Sequence, residues 1–384
     1  MGSSVRSRMG EVSLMDLLAT IVIGVAILSI LVYIHEGGHY LAARAFGVRV
    51  TELMLGMPGP SIGFTAAGTR FGVTPILLGG YARVCGMEGG EVHPHAPEVL
   101  AALYRRGTAN MEDVAADCGI TDDEAYEALE QLAEWGSVLR PEKSDEFNTY
   151  RTPAFVPAKR EVKAASEAGL PLPRAFEKGE PREVPDTLAL YDSEYSQQYR
   201  ALPFWKRCVI LAAGPAVNLL AAFVIFVIIY SCMGIDLRYA DTGETFHHHF
   251  AVHESLLMCL NFIGMVLDAI AGLFNPATTA ETVSNSMSVV GVVAVSGDYF
   301  SYGLQTGLLF VANITISLGL MNLLPIPPLD GGKIFVEVVQ KLSRRDVPIA
   351  AVNAISLAGV ALFMLLFVVL VGQDIQRIAT GFFG

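Results

Sequence analysis

The sequence predicts a polytopic α-helical membrane protein with four transmembrane helices. It also predicts a membrane-associated β-hairpin region and a small winged-helix-like α/β insert. Three observations predict that class. Of the 384 residues, 52% are hydrophobic and only 17% are charged, where a soluble domain carries about 25% charged residues. Four apolar runs, 17–34, 209–233, 304–324 and 352–372, are long enough to cross most or all of a bilayer core. The extra polar length falls between the first two runs, in a stretch with helix caps and turn signals of its own. The net charge of −12 argues against nucleic acid as the main partner. Five scattered cysteines with no CxxC pair supply neither a disulfide framework nor a zinc knuckle.

Residues 14–46 form the first unit, an apolar helix running directly into His35. Its apolar core is long for a cleavable signal peptide, and no small-residue cleavage site follows it. Residues 47–90 read as the β-region: strand-like stretches at 48–54, 71–77 and 81–84, with a turn at Gly56-Met57-Pro58-Gly59-Pro60 and another at Gly79-Gly80. Residues 91–152 read as the insert. Helices are expected at 97–106 and 111–118, and Thr121-Asp122-Asp123-Glu124 is a capping box opening a third helix that ends near Trp135. A short hairpin at 137–150 completes a winged-helix-like order.

Residues 153–203 read as a proline- and charge-rich linker, followed from 188 by a tyrosine-rich interfacial anchor ending at Trp205. Residues 204–233 are the second span, 234–303 an extracytoplasmic loop, 304–332 the third span with its terminal LDG motif, and 333–384 a cytoplasmic loop, the fourth span and the C-terminus.

Charge sets the orientation. Arg44, Arg49, Arg83, Lys206 and Arg207 lie between spans one and two, and Lys333, Lys341, Arg344 and Arg345 follow span three. Segment 234–303 holds only Arg238. The positive-inside rule puts both termini outside, with Arg6 and Arg8 pulling weakly the other way. Within that outer loop, residues 253–274 place Leu256, Leu257, Leu260, Ile263, Leu267 and Ile270 at helical spacing. A crossing there would strand the end of span three on the far side from His35, so this helix is expected at the interface.

The chemistry begins at His35-Glu36-Gly37-Gly38-His39. On a helix, histidines four apart share one face and can reach one zinc ion, with Glu36 beside them as a proton acceptor. Span three ends in Asn322-Leu323-Leu324-Pro325-Ile326-Pro327-Pro328-Leu329-Asp330-Gly331-Gly332, where three prolines and two glycines must break the helix. Irregular backbone at membrane depth needs protein or a water-filled cavity around it, and a carboxylate there needs a partner. Zinc supplies one. His35, His39 and Asp330 with a water make a tetrahedral set with one open position. A plain turn with Asp330 capping the next helix is the competing use of that residue.

HEGGH, NLLPIPPLDGG and Ala213-Gly214-Pro215-Ala216-Val217-Asn218 together resemble the site-2 protease family of intramembrane zinc metalloproteases, nearest to bacterial members of the regulator of sigma-E protease type. The resemblance covers roughly residues 14–90 and 204–372. It implies a zinc metalloendopeptidase of the bacterial inner membrane, with its active site near the cytoplasmic face. Zinc is the implied cofactor, held by His35, His39 and Asp330, with Glu36 as general base. Asn322 is implied to contact the substrate backbone or the developing oxyanion; Asn218, grouped with it as a substrate-binding candidate, is expected to help hold the core together. The implied substrates are single-span membrane proteins already trimmed outside, such as anti-sigma factors, or remnant signal peptides. The β-region is implied to hold an unfolded substrate by strand addition. Relatives commonly carry a PDZ domain between spans two and three; about twenty residues before helix 253–274 leave no room for one. The other reading is a membrane-anchored sensor with a structural zinc, although such zincs usually have four protein ligands.

Two features stand outside that resemblance. The third helix of the insert opens with Asp122, Asp123 and Glu124 and continues with Glu127 and Glu130, a face that repels phosphates. A protein partner or an autoregulatory role is expected rather than DNA. His247-His248-His249, with His253 nearby, is either a solvated loop run or a second metal site on the outer side.

Overall fold

In the computed structural model the described residues are 14–380 except 78, 88–91, 144, 146–147, 158, 170, 240–242 and 346. Arg6 and Arg8 lie outside them. The elements in chain order are α1 (Leu14–Ala45), β1 (Val50–Leu55), β2 (Ile62–Ala66), β3 (Thr69–Val73), β4 (Gly80–Val84), α2 (Ala96–Arg106), β5 (Thr108–Asn110), α3 (Met111–Cys118), α4 (Asp122–Glu134), β6 (Thr149–Arg151), α5 (Lys159–Glu167) and α6 (Thr187–Tyr195). Then come α7 (Phe204–Phe226, continued by a π-helical stretch Val227–Met233), β7 (Ile235–Arg238), β8 (Thr245–His248), α8 (Val252–Phe274), α9 (Thr279–Asn285), α10 (Val289–Ser301), α11 (Leu304–Asn322), α12 (Asp330–Ser343) and α13 (Ile349–Ala379).

Among the described residues five helices are long and apolar enough to cross a bilayer, where the sequence predicts four: α1, α7, α11, α13 and also α8. The helix at 253–274 does not stand apart. Ser255 meets Ser231 at 2.8 Å between hydroxyls, Phe262 packs on Phe226 with centroids 5.7 Å apart, and Cys259 and Ile270 join Ala222, Ala312 and Ile316 in one buried cluster. It therefore runs back alongside α7. The sequence reading also missed α10. This short helix lies antiparallel on α1: Val293 abuts Gly24, and the Ser296 hydroxyl donates to the Thr20 carbonyl at 3.0 Å.

The expected β-hairpin region is a four-stranded sheet in the order β2-β3-β1-β4. β1 pairs parallel with β3 and antiparallel with β4, and β2 pairs antiparallel with β3. The true hairpin, β2–β3, turns at Ala67 and Gly68, both at positive φ (50° and 79°). That geometry suits the twist of a two-residue hairpin loop but is usually signalled by Asn-Gly or Asp-Gly, so the sequence left β2 unassigned.

In the insert α2, α3 and α4 fall where the capping and periodicity put them, and both halves of the Thr121–Glu124 capping box are made. The hairpin expected at 137–150 is wider: Leu139 bridges Arg151, and β6 pairs with β5. Residues 153–203 correct the linker expectation. Phe155 bridges Phe176, the Arg182 guanidinium sits 4.9 Å from the centroids of both Tyr104 and Phe176, and Val184 and Leu190 pack on the insert core. The expected anchor tyrosines are spent there too, because Tyr191 and Tyr195 lie against Trp135 at 5.9 and 5.6 Å. Trp205 alone stays exposed, edge-on to Phe46.

The insert is clamped to the sheet. Arg49, just before β1, donates to the Trp135 carbonyl and the Ser137 hydroxyl of the insert at 3.4 Å each, and to Glu194, packed beside it, at 2.8 Å.

Candidate active site and metal centre

α1 and α7 cross antiparallel, and the crossing is built from small residues. A Cβ at Gly38 would fall 2.8 Å from the Ala213 carbonyl carbon, and one at Gly214 2.9 Å from His35 Nε2. Without those Cβ atoms the two backbones approach closely, as membrane helices do at small-residue contacts. The approach buries His35 and His39 to 5% and 6% exposure. The HEGGH histidines share one face of α1 as the four-residue spacing requires.

After α11 the proline-rich loop folds back on itself. Gly331 and Gly332 lie so close to the Leu323 carbonyl and to Ile326–Pro327 that a side chain at either would overlap backbone. This turn brings Asp330, the first residue of α12, onto the histidine pair across 295 residues of chain. Asp330 Oδ2 stands 3.0 Å from His35 Nε2 and 3.2 Å from His39 Nε2, and the two nitrogens are 3.3 Å apart. Zinc–ligand bonds of 2.0–2.2 Å in a tetrahedron put donor atoms about 3.3–3.5 Å apart. The donor set and its spacing therefore fit a zinc ion. Among the described residues this is the one trio of His, Cys, Asp or Glu so arranged.

The outer partners of the histidines also fit. His39 Nδ1–H donates to the Ile210 carbonyl at 2.8 Å, which leaves Nε2 with its lone pair for a metal. His35 Nδ1 faces the Asn218 amide nitrogen at 3.1 Å, while Asn218 Oδ1 is buried with no partner. Exchanging the amide's O and N gives Oδ1 the His35 Nδ1–H and frees His35 Nε2 in the same way. Asn218 is fully buried. It touches a histidine inside the packed helices, not the open side of the site. The sequence signal was available, because a lone amide in an apolar span needs a partner.

Glu36 projects to the sheet. Its Oε2 accepts the backbone N–H of Ala82 in β4 at 2.9 Å. That N–H points away from β1, so the edge of the sheet facing α1 meets the carboxylate. No residue-type signal could have exposed a main-chain donor of this kind. Asn322 is the last residue of α11 and half-buried, and among the described residues no hydrogen bond holds its amide.

The outer histidines are placed differently. His247 offers Nδ1 to Asp236 at 2.7 Å and Nε2 to the Met233 carbonyl at 2.8 Å, and His249 Nδ1 lies 3.1 Å from the Ser231 carbonyl. Hydrogen bonding to Asp236, then to Met233, raises the His247 pKa. The run caps the end of the α7 π-helical stretch, and among the described residues it forms no group of three metal-binding side chains.

The profile of peptidase family M50 matches residues 23–366. The chain is 21% identical to the zinc metalloprotease RasP of Shouchella clausii, over 94% of this chain and 99% of that protein. It is 22% identical to the regulator of sigma-W protease RasP of Bacillus subtilis, again over 94% and 99%. A Rhizobium meliloti protein named as a zinc metalloprotease is 26% identical over 91% of this chain and 94% of its own. Because the family profile covers most of the chain, the protein belongs to peptidase family M50, the zinc metalloendopeptidases of the intramembrane site-2 type.

Proposed function

We propose that this chain cuts peptide bonds within or near the membrane segment of anchored substrates, close to the cytoplasmic face of the bacterial inner membrane. His35, His39 and Asp330 would hold the zinc ion, which when bound is a Lewis acid that lowers the pKa of water toward about 7. The observation carrying this reading is the trio of donor atoms 3.0–3.3 Å apart with Glu36 on the same helix. Glu36 accepts the proton of the attacking water and delivers it to the leaving amine. Asn322, whose amide none of the described residues holds, contacts the substrate backbone or the oxyanion that develops on the scissile carbonyl. Asn218 and the Ile210 carbonyl orient the imidazoles.

A helical substrate hides its carbonyls in its own hydrogen bonds. The β4 edge beside Glu36 is the place where such a segment, once extended, adds as a strand. The substrates would be single-span proteins trimmed outside, of the anti-sigma type suggested by the sigma-W relative's name, or remnant signal peptides.

For topology, α1, α7, α11 and α13 serve as the four full crossings, with both termini outside. α10 has 13 residues, about 20 Å of helix against a hydrocarbon core of about 30 Å. It is too short to cross, so α8 and α10 enter and leave on the outer side and cancel in the parity count. The end of α11 then comes level with HEGGH. The insert's order of α2, β5, α3, α4, the Leu139 bridge and β6 supports a winged-helix arrangement. Its exposed acidic residues Asp122, Asp123 and Glu127 favour a protein partner or autoregulation over DNA.

The test uses the full chain in lipid nanodiscs with a single-span substrate. Cleavage should stop with a chelator and return with zinc. Glu36→Gln should lose about 10²–10⁴-fold in rate while its zinc content stays at one per chain. Undiminished cleavage by that variant, or cleavage indifferent to chelation, would end this reading.

A further inference from the structure

α13 carries a fully buried carboxylate, Asp374, that the chemistry above does not use. Its position is unusual for a helix so weakly packed. Leu357, Leu365 and Val368 are 71%, 64% and 63% exposed, and its main helical neighbour is the short α10. An ionisable group buried in such a helix is costly unless it is paired and put to use.

Asp374 is paired at both oxygens. Oδ2 accepts the Ser288 backbone N–H at 2.6 Å, at the entry to α10. A Cβ at Gly291 would fall 2.7 Å from its carboxyl carbon, so the glycine lets the carboxylate sit against the first turn of α10. Oδ1 takes Arg377 Nη1 at 2.9 Å. Arg377 also donates to the Ser286 carbonyl at 2.8 Å and to that of Ser284, covering the end of α9. Two charges on successive turns of α13 thus grip the α9–α10 junction: the anion sits at a helix start and the cation at a helix end, each matching the local dipole.

Fifteen residues earlier, about 22 Å along the helix, Gly359 lies against the proline-broken loop. A methyl group added there would overlap the Pro327 carbonyl. Pro327 is buried and precedes the ligand Asp330 by three residues. α13 is therefore fixed at one end by the Asp374–Arg377 clasp and forms, at the other, a wall behind the loop that carries Asp330.

We propose that Asp374 is a positioning residue for Asp330: the clasp holds α13 in place, and α13 holds the 326–332 loop against the histidine pair. The proposal rests on Asp330 being a metal ligand, but its test does not need the metal. Amide hydrogen exchange is measured on the full, metal-free chain in detergent. Asp374→Asn should speed exchange about tenfold both at 286–291 and at 329–333, and in a separate titration should weaken zinc affinity about tenfold. Gly359→Val should loosen 329–333 and weaken zinc equally, with 286–291 unchanged, because it acts at the wall and leaves the clasp intact. Exchange that rises only at 286–291 in Asp374→Asn, or a Gly359→Val chain with unaltered loop exchange, would overturn it. Should Asp374→Asn fail to fold, Arg377→Gln, which breaks the other half of the clasp, takes its place, and the same rise is expected at both segments. A wild-type chain that bound no zinc would instead remove the metal reading, and the exchange comparison would still stand.

Discussion

The helical core and the polar insert handle the same side-chain chemistry in opposite ways. In the core, polar residues are few, and those that are buried bond to another segment: His35 and His39 to Asp330, Asn218 to His35, Asp374 to the start of α10. In the insert an ordinary apolar core of Leu100, Leu103, Leu129, Leu132, Trp135 and Tyr150 holds the helices together. Its charges pair on or near the surface, as with Arg106–Asp117, Arg140–Glu130 and Arg151–Asp145. The difference follows from the solvent. An unpaired polar group costs several kcal/mol in lipid, so each one kept in a span marks chemistry or a clasp. At a water-facing surface an ion pair contributes about 0–1 kcal/mol, so charges there mark very little.

Three measurements would break or sharpen that contrast. The largest effect should come from the insert's core. Trp135→Ala removes the ring that Tyr191 and Tyr195 pack on, and should cost about 3–5 kcal/mol of insert stability. Chemical denaturation followed by aromatic fluorescence should report that loss, while zinc affinity moves less than about threefold on the scale of distant sites. A large loss of zinc would mean that the two regions are one cooperative unit. Next, Asn218→Leu trades the amide beside His35 for an apolar group and should lower zinc affinity about 10–100-fold, with little change in thermal unfolding. Competition with a chromogenic chelator measures it, and an unchanged affinity would remove Asn218 from the metal site.

The smallest effect concerns acid. Hydrogen bonds from Arg151, then from the Glu142 amide, hold the Asp145 pKa down to about 2. A group depressed in the folded state stabilises above its unfolded pKa of about 3.9 and loses that contribution as pH falls toward the folded value. Asp145→Asn should therefore unfold at a lower temperature than wild type at pH 6, with the gap closing near pH 2. A gap that persisted at low pH would show that shape, not charge, matters at that position.

The legibility of the site was uneven for physical reasons. His35, Glu36 and His39 could be read because a four-residue spacing on a helix is a local fact. Asp330 could be read because a carboxylate after a proline break at membrane depth needs a cation. The Ala82 N–H on Glu36 could not, since main-chain donors carry no residue code. Nor could the packing of Tyr191 and Tyr195 on Trp135: next to a span, tyrosines look like interfacial anchors whether or not a domain is there to receive them. In α13 the polar residues after Gly372 suggested that the span had ended, yet the helix runs on to Ala379 because the α9–α10 junction satisfies Asp374 and Arg377.

By itself the sequence determined the apolar spans, the helix caps of the insert and the residues able to bind a metal. Each of these follows from side chains a few positions apart acting on their own backbone or on the solvent. Only the tertiary structure decided that α10 returns along α1, that β1 lies parallel to β3, that Asn218 faces a histidine and that α13 backs the ligand loop. Those contacts join segments tens to hundreds of residues apart. Which of many compatible partners a small or polar residue meets is set by packing, and no local pattern specifies it.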